Sequence, residues 1–343
     1  MTRKELLHSI CNTTADYRAG DLEPPTPAHV ERWVSQFDPS IQLPVLAEMD
    51  HVLKKTYFSV EAVTSFLRNG IRTKKLVGED PGSFWSKVKL LDVQGGGNSQ
   101  RELNILFSEI LRAECGVDFY QGDHPPSAFV YLDDGIFTGN RVRRDLEDWI
   151  EHEAPNRCQI HVICIALHSG GHYYAQQRIN KKIKEVGKDV VVDWWRRIEL
   201  EDRKAYTDSS DVLRPTFVPD NLEVQEYVEG LRYKPTFRNA GNIGGNGIFS
   251  SEEGRALLEQ TFLVAGTKIR RMCPNLGETQ RPLGHMTLES LGFGSLVVTF
   301  RNCPNNAPLA LWAGEPWYPL FPRTTNSETA MQNLIARIFS DGS

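Results

Sequence analysis

The stretch FVYLDDGIFTGNR, residues 129–141, decides the fold of this chain. It opens with four uncharged apolar or aromatic residues, 129–132, and runs directly into two carboxylates, Asp133 and Asp134. A Thr-Gly pair follows at 138–139. Beyond it, apolar residues recur at the spacing of one helix face: Val142, Leu146, Trp149 and Ile150. The pattern predicts a buried strand, a short loop and a helix, the unit that open α/β sheets use to bind phosphates.

The loop of this unit has the features of a phosphate site. Unpaired N–H groups and the dipole at a helix N-terminus attract anions, so we expect a phosphate on the backbone of residues 137–141. Asp133 and Asp134 are expected to face solvent at the strand end, where they could hold two hydroxyls or a magnesium ion. A ribose 5-phosphate carries hydroxyls and a phosphate at this separation. The alternative is that the two aspartates only end a strand and cap a helix.

A second strand and turn precede this unit. Apolar residues at 88–93 predict the strand, and residues 99–102 have the Ser-x-x-Glu form of a helix capping box. Three glycines between them let a backbone approach an anion closely. Such a turn is weak evidence alone, but the carboxyl ends of parallel strands lie at one edge of a sheet. We therefore predict a second phosphate loop made of Gln94, Gly95, Gly96, Gly97, Asn98 and Ser99.

Two further strands are expected, at 160–167 and 190–192, each bordered by helical patterns. Residues 160–167 are apolar on both parities except His161, as in a strand covered on both faces. The predicted fold class is therefore α/β with a parallel sheet. His168 and His172 follow the third strand and could contact a phosphate, but histidines at such a turn are more often structural.

The remaining chain divides into four predicted regions. Residues 1–25 are expected to form a loosely packed arm, 26–80 a helical subdomain, 85–200 the α/β core and 201–343 an insertion that completes the fold. The last region is dense in Trp and Pro. Three of its aromatic residues could form a hood that stacks on a base: Trp312, Trp317 and Tyr318. The alternative is a C-terminal packing wedge.

Composition limits the function classes. The 343 residues are 40% hydrophobic and 24% charged, as in a globular protein, and the net charge of −5 argues against a general nucleic-acid-binding surface. No apolar run reaches the ~20 residues that span a bilayer, and the first 25 residues lack the apolar core of a signal peptide. The six cysteines include no CxxC pair, which indicates reduced thiols. We expect a cytoplasmic protein with no membrane partner.

The sequence of residues 129–141 resembles the phosphoribosyl-diphosphate (PRPP) loop of type I phosphoribosyltransferases. The resemblance narrows to the divergent phosphoribosyltransferase-like proteins of bacterial conflict and antiphage systems, including a retron-associated branch. It is carried by the helical start with Trp33 and Phe37, by LGFGSLVVTFRNCPNNAPL at 291–309 and by WYPLFPR at 317–323. It covers most of residues 26–323.

The resemblance implies a Rossmann-like fold and a role for each loop. Asp133 and Asp134 would bind the ribose hydroxyls of PRPP together with Mg²⁺, and the loop at 94–99 would bind the pyrophosphate. The 5-phosphate would lie on Phe137, Thr138, Gly139, Asn140 and Arg141. The implied activity is phosphoribosyl transfer with release of pyrophosphate, or cleavage of a nucleotide N-glycosidic bond. The implied setting is the effector of a retron-type antiphage system, with a reverse transcriptase, its retron nucleic acid and a winged-helix protein as partners.

Two departures from the family pattern keep an alternative open. Arg141 replaces the usual final hydroxyl residue, and the segment before the PRPP strand, 115–127, is short. Both favour a non-catalytic module that senses PRPP or a nucleotide, whereas retention of Asp133 and Asp134 favours an enzyme. A dinucleotide-binding enzyme is set aside because no GxGxxG follows a strand. We expect Asn at both 133 and 134 to abolish binding with the fold intact, and Gly139→Val to block backbone access to the phosphate.

Overall fold

The computed structural model describes residues 1–94, 99–122, 126–273 and 276–323. The chain forms two compact units. The first unit contains Met1–Ser59 and the chain from Glu201 onward, and the second contains Val60–Leu200.

The first unit begins with three helices and a short strand: α1 (Arg3–Thr13), α2 (Pro27–Val34), α3 (Gln42–Thr56) and β1 (Tyr57–Phe58). Helix α2 starts as predicted, with Pro27 in its first turn and the Thr26 hydroxyl accepting the His29 N–H at 3.2 Å. Residues 3–13, expected in a loose arm, instead form α1. The reason is local: Thr2 and Glu5 make a capping box, and four apolar residues of the helix are buried: Leu6, Leu7, Ile10 and Cys11.

The second unit opens with helices α4 (Val60–Ile71), α5 (Lys74–Val77) and α6 (Pro81–Trp85). Strands and helices then alternate: β2 (Val88–Leu90), α7 (Ser99–Cys115), β3 (Ala128–Ile136), α8 (Asn140–His152), β4 (Arg157–His168), α9 (Ser169–Val186) and β5 (Asp189–Leu200). The four strands form one parallel sheet in the order β2-β3-β4-β5. This confirms the predicted α/β, Rossmann-like fold.

The strands around the PRPP-like stretch are longer than the apolar runs that predicted them. Strand β3 continues through both aspartates to Ile136, and β5 spans twelve residues where three were expected. Both extensions pair with β4, and Asp133 lies opposite Cys164. Polar residues can continue a strand because their backbone N–H and C=O groups bond to the neighbouring strand. The apolar pattern of a single segment contains no information about that neighbour.

Helices α8 and α9 pack against one face of this sheet. The rings of Phe129 and Trp149 meet edge to face, with centroids 4.6 Å apart. All four apolar residues predicted for the face of α8 are buried, which confirms the helical periodicity: Val142, Leu146, Trp149 and Ile150. On the other face, His161 of β4 contacts Phe84 of α6, with ring centroids 5.9 Å apart.

The C-terminal part of the first unit contains a 3₁₀ turn at Lys204–Tyr206 and the elements α10 (Leu222–Glu229), α11 (Glu252–Met272), β6 (Gln280–Arg281), β7 (Gly284–His285), β8 (Val298–Thr299) and α12 (Leu309–Trp312). Strand β8 pairs with β1 in parallel, which joins the two chain segments of this unit. All six cysteines are unpaired thiols. Within the described ranges, no helix has both the length and the apolarity needed to cross a bilayer.

Candidate functional site

Asp133 and Asp134 lie inside β3 and not just beyond it, as the apolar run had suggested. Neighbouring residues of a strand point to opposite faces, so the two carboxylates diverge. Tyr131, which has the same parity as Asp133, bonds to α8, so Asp133 lies on the α8 side of the sheet. Asp134 lies on the other side and is half-buried.

Asp133 is buried, with only 7% of its surface exposed, so the expectation that it faces solvent is wrong. Its Oδ1 accepts the backbone N–H of Asp134 at 2.8 Å. Burial, reinforced by the negative charge of Asp134 and opposed by the Arg141 guanidinium, raises the pKa of Asp133 to about 7. The carboxyl therefore exchanges its proton near neutral pH, and a bound cation would favour the ionised form.

The turn after β3 leaves the start of α8 open to an anion. Gly139 occupies the N-cap with φ of +73°, and no side chain caps the helix. The first-turn N–H groups of a helix have no intrahelical acceptor, so a phosphate can accept them. Thr138 Oγ1 lies 3.5 Å from the N–H of Asn140, and Arg141 is exposed. The strand, turn and helix predicted around residues 137–141 are present, and phosphate binding there stays a prediction.

The start of α9 holds this turn closely. A Cβ added at Gly171 would lie 1.9 Å from the carbonyl oxygen of Phe137, and one added at Gly139 would lie 2.2 Å from that of Gly171. Neither glycine can be replaced without moving backbone. Gly139→Val would therefore disrupt the turn by a steric clash with the Gly171 carbonyl. The sequence had predicted a different cause, the loss of backbone access to the phosphate.

His168 and His172 both pack within the second unit. His168 is buried, its Nδ1 lies 3.0 Å from the carbonyl oxygen of Ile136, and its ring lies on that of Phe137. A carbonyl only accepts hydrogen bonds, so Nδ1 carries the proton. Burial lowers the pKa of His168 to about 4. The ring of His172 contacts Trp194 at 4.7 Å. These contacts support the structural interpretation.

Sequence reasoning missed a hydrogen-bonded chain that joins the ends of β2 and β3 to α8. The Tyr131 hydroxyl donates to Asp145 Oδ2 at 2.9 Å and accepts from Gln94 Nε2 at 3.0 Å. Gln94 Oε1 is buried and has no hydrogen-bond partner among the described residues. A signal was available: Tyr131 shares the parity of Asp133, and Asp145 lies one helical turn after Arg141.

The chain after β2 is fixed by Gln100, which is buried in α7. Its Oε1 accepts the N–H groups of Val93 and Gln94 at 3.1 and 3.2 Å, and its Nε2 donates to the Leu132 carbonyl at 3.2 Å. The end of β2 is thereby held beside β3. The predicted pyrophosphate residues Gly95, Gly96, Gly97 and Asn98 lie outside the described residues, and Ser99 begins α7.

The donor set at this edge of the sheet suits Mg²⁺ shared with a substrate. No group of three or more His, Cys, Asp or Glu suited to a metal occurs in the part of the chain that the structure describes. Mg²⁺ commonly takes one or two carboxylates and completes its shell with substrate phosphates and water. The half-buried Asp134 can supply a carboxylate of this kind, whereas Asp133 is buried on the opposite face of β3.

The three residues predicted for a hood are tied into the first unit. Trp312 and Trp317 are 5% and 3% exposed, and their indole N–H groups donate to the carbonyls of Ala307 and Ala310 at 2.8 and 3.0 Å. The Tyr318 hydroxyl lies 2.8 Å from His29 Nδ1, with the Arg32 guanidinium 4.0 Å above its ring. This packing supports the wedge alternative, and stacking on a base stays a prediction.

Comparison with known proteins adds one finding. The model of the family described as PRTase-CE matches residues 30–323. None of the curated proteins matches the chain significantly. The matched range contains the whole parallel sheet, both predicted phosphate loops and the closing WYPLFPR segment at 317–323.

Proposed function

The chain belongs to the PRTase-CE family of phosphoribosyltransferase-like proteins, and from this premise we propose that it binds PRPP and transfers the phosphoribosyl group with release of pyrophosphate. One observation carries the proposal. A buried strand bearing Asp133 and Asp134 runs into a helix whose N-cap residue is Gly139, which has no side chain to cap it. Hydroxyl-binding carboxylates and an anion-binding helix start are thus adjacent.

The proposed 5-phosphate position is the turn at 137–141. Backbone amides there donate to phosphate oxygens without the loss of side-chain entropy that a flexible lysine would bring. Arg141 is exposed at the first turn of α8, so its guanidinium can add a charge-assisted hydrogen bond. It thereby replaces the hydroxyl residue of the family pattern.

The ribose hydroxyls would be accepted by Asp134 and by the ionised form of Asp133. Asp134, the more exposed of the two, would also hold Mg²⁺, which neutralises charge on the diphosphate leaving group when it is bound. The diphosphate would lie beside Gln94, whose buried Oε1 has no partner among the described residues and can accept from a water or hydroxyl of the complex.

In the reaction, the bond between C1 and the diphosphate oxygen breaks, and a bond forms from C1 to a nitrogen of the acceptor or to water. The proton of the acceptor leaves to solvent. Positive charge develops on the ribose ring, and fixed carboxylates near the ring stabilise it. The protein contributes mainly position, for which the Gln94–Tyr131–Asp145 hydrogen bonds give a rigid frame. Cleavage of a nucleotide N-glycosidic bond would use the same groups.

The test is calorimetric titration of PRPP with Mg²⁺ into the wild type, Asp134→Asn and the control Asp148→Asn. Asp148 is an exposed residue of α8, in the second half of that helix. We expect Asp134→Asn to weaken binding about 10- to 100-fold, as for loss of a charged hydrogen-bond partner, and Asp148→Asn to bind like the wild type. Equal binding by all three proteins would refute the site.

Turnover is measured separately, by phosphorus NMR of pyrophosphate release with purine and pyrimidine bases, amines and water as acceptors. Release that requires Asp134 supports the enzyme. Tight binding without release from PRPP or from nucleotides would instead support the sensing module.

We further propose, on the resemblance alone, that the activity serves antiphage defence. The chain would act as the effector of a retron-type system, with a reverse transcriptase, its nucleic acid and a winged-helix protein as partners. Plaque assays on cells that carry the system would test this. Protection unchanged by Asp134→Asn, in a protein that no longer binds PRPP, would contradict it.

A further inference from the structure

The first unit contains a cavity that is separate from the sheet of the second unit. Its volume is about 260 Å³, and it lies among the chain segments that follow β5 and that surround β7. Much of its wall is apolar, contributed by residues that include Leu213, Pro215, Leu283 and Leu291. This volume is slightly below the ~300–1,000 Å³ of typical small-molecule sites, so the occupant would be a compact molecule.

Three cationic side chains also line this cavity: Lys204, Arg214 and Lys234. Only one carboxylate, that of Glu289, is among its lining residues in the described chain. The Oε2 of Glu289 accepts the backbone N–H of Arg232 at 2.8 Å. The wall is therefore net positive, which favours an anion.

Arg214 is half-buried, whereas Lys204 and Lys234 are exposed. Its Nη2 donates to the carbonyl oxygen of Asp202, and its Nε is buried without a hydrogen-bond partner. Burial lowers the pKa of Arg214, and the nearby carboxylates of Asp202, Glu201 and Glu259 oppose this shift. The Nε–H still lacks an acceptor among the described residues, and a buried donor without an acceptor is unfavourable. A ligand anion would supply the missing acceptor.

Two fully buried arginines of this unit have a carboxylate partner. Arg238 and Arg255 both pair with Glu259, at 2.9 Å in each case. The fold thus provides a carboxylate where it buries these guanidinium groups. Arg214 is only half-buried and lies at the wall of the cavity.

We propose that this cavity binds an organic anion, one phosphate or carboxylate group attached to an apolar or aromatic body. The anionic group would meet Arg214, Lys204 and Lys234, while the body would pack on the leucine-rich wall. Tyr233 and Leu288 line the same cavity and are 54% and 57% exposed, so they offer apolar contacts at its mouth. The site lies entirely in the first unit and does not depend on PRPP binding.

The experiment titrates the full chain with phenyl phosphate and benzoate, and with inorganic phosphate and phenol as partial probes. We expect at least one of the two aromatic anions to bind with a Kd below about 1 mM, and each partial probe to bind at least about tenfold more weakly. The anion that binds more tightly shows whether the cavity prefers a phosphate or a carboxylate group. Failure of both aromatic anions to bind would overturn the proposal, as would inorganic phosphate binding equally well.

Variants place the binding in this cavity and not at the PRPP loop. Lys234→Gln should weaken binding of the better probe about 3- to 10-fold, whereas Lys268→Gln, on the exposed side of α11, should leave it unchanged. Arg214→Met removes the charge and the N–H donors while keeping an unbranched apolar stem. It should weaken binding about 10- to 100-fold without lowering the unfolding temperature of the free protein.

If Arg214 only stabilised the fold, these measurements would give the opposite result. In that case Arg214→Met would lower the unfolding temperature, and binding of phenyl phosphate or benzoate would survive both it and Lys234→Gln. That outcome would refute the site. The result is independent of the PRPP titration, because Asp134→Asn should leave binding in this cavity intact.

Discussion

At the scale of single residues, Asp133 shows what sequence reasoning finds and what it misses. Two acids after an apolar run predicted two carboxylates at the end of a strand, and both lie in the carboxyl-terminal part of β3. Their solvation could not be predicted, because it depends on how far β4 extends alongside. With Cys164 opposite it, Asp133 is buried and its pKa rises to about 7.

The raised pKa predicts a pH-dependent stability difference. The pKa of Asp133 is about 7 in the folded protein and about 4 when unfolded, so the ionised form destabilises the fold increasingly as pH rises between these values. Asp133→Asn should therefore raise the free energy of unfolding by a few kcal/mol at about pH 8, and change it little at about pH 4. Urea denaturation at both pH values measures this. Asp148→Asn is the control, and an equal effect of Asp133→Asn at both pH values would contradict the prediction.

At the scale of elements, the strand–turn–helix unit was the most predictable part. The helical face of α8 and its start after Gly139 follow from apolar spacing and a glycine, which are local signals. The extent of β5 and the packing of α1 depend on partners distant in sequence, which no local pattern contains. The contact of Gly139 with Gly171 also depends on a partner distant in sequence, because it joins the turn to the start of α9.

This contact predicts that the turn has no room for a Cβ atom at position 139. Gly139→Ala should lower the free energy of unfolding by several kcal/mol, because the added Cβ meets the Gly171 carbonyl and φ is +73°. Gly187→Ala is a matched control, since Gly187 has φ of +68° in the same unit but open space at its Cβ. It should cost about 1–2 kcal/mol. Thermal unfolding without ligand measures both, and equal losses would mean that backbone conformation alone sets the cost.

At the scale of the whole molecule, the first unit is assembled from both ends of the chain. Trp33 Nε1 donates to the Ala310 carbonyl at 2.8 Å, and Glu48 Oε1 accepts the N–H of Ser250 at 2.9 Å. Sequence order suggested an N-terminal helical subdomain and a separate C-terminal insertion. The burial expected for Trp33 and Phe37 is observed, but that their partners lie more than two hundred residues away could not be read from spacing.

The C-terminal segment of this unit depends on one buried carboxylate. Glu259 of α11 is fully enclosed, pairs with Arg238 and Arg255, and accepts the N–H of Arg214 at 2.9 Å. Removing its charge would leave two guanidinium groups buried without a full counter-charge. Glu259→Gln should therefore lower the free energy of unfolding by about 3–5 kcal/mol.

The control for Glu259 is a surface ion pair between α10 and α11. Glu226→Gln removes one of the two exposed partners of Arg271 and should change the free energy of unfolding by about 0–1 kcal/mol. Denaturant unfolding of both variants, followed by tryptophan fluorescence, gives the comparison. If Glu259→Gln lost no more than Glu226→Gln, solvent would have to reach Arg238 and Arg255, and the ion pairs of Glu259 would contribute no more than an exposed pair.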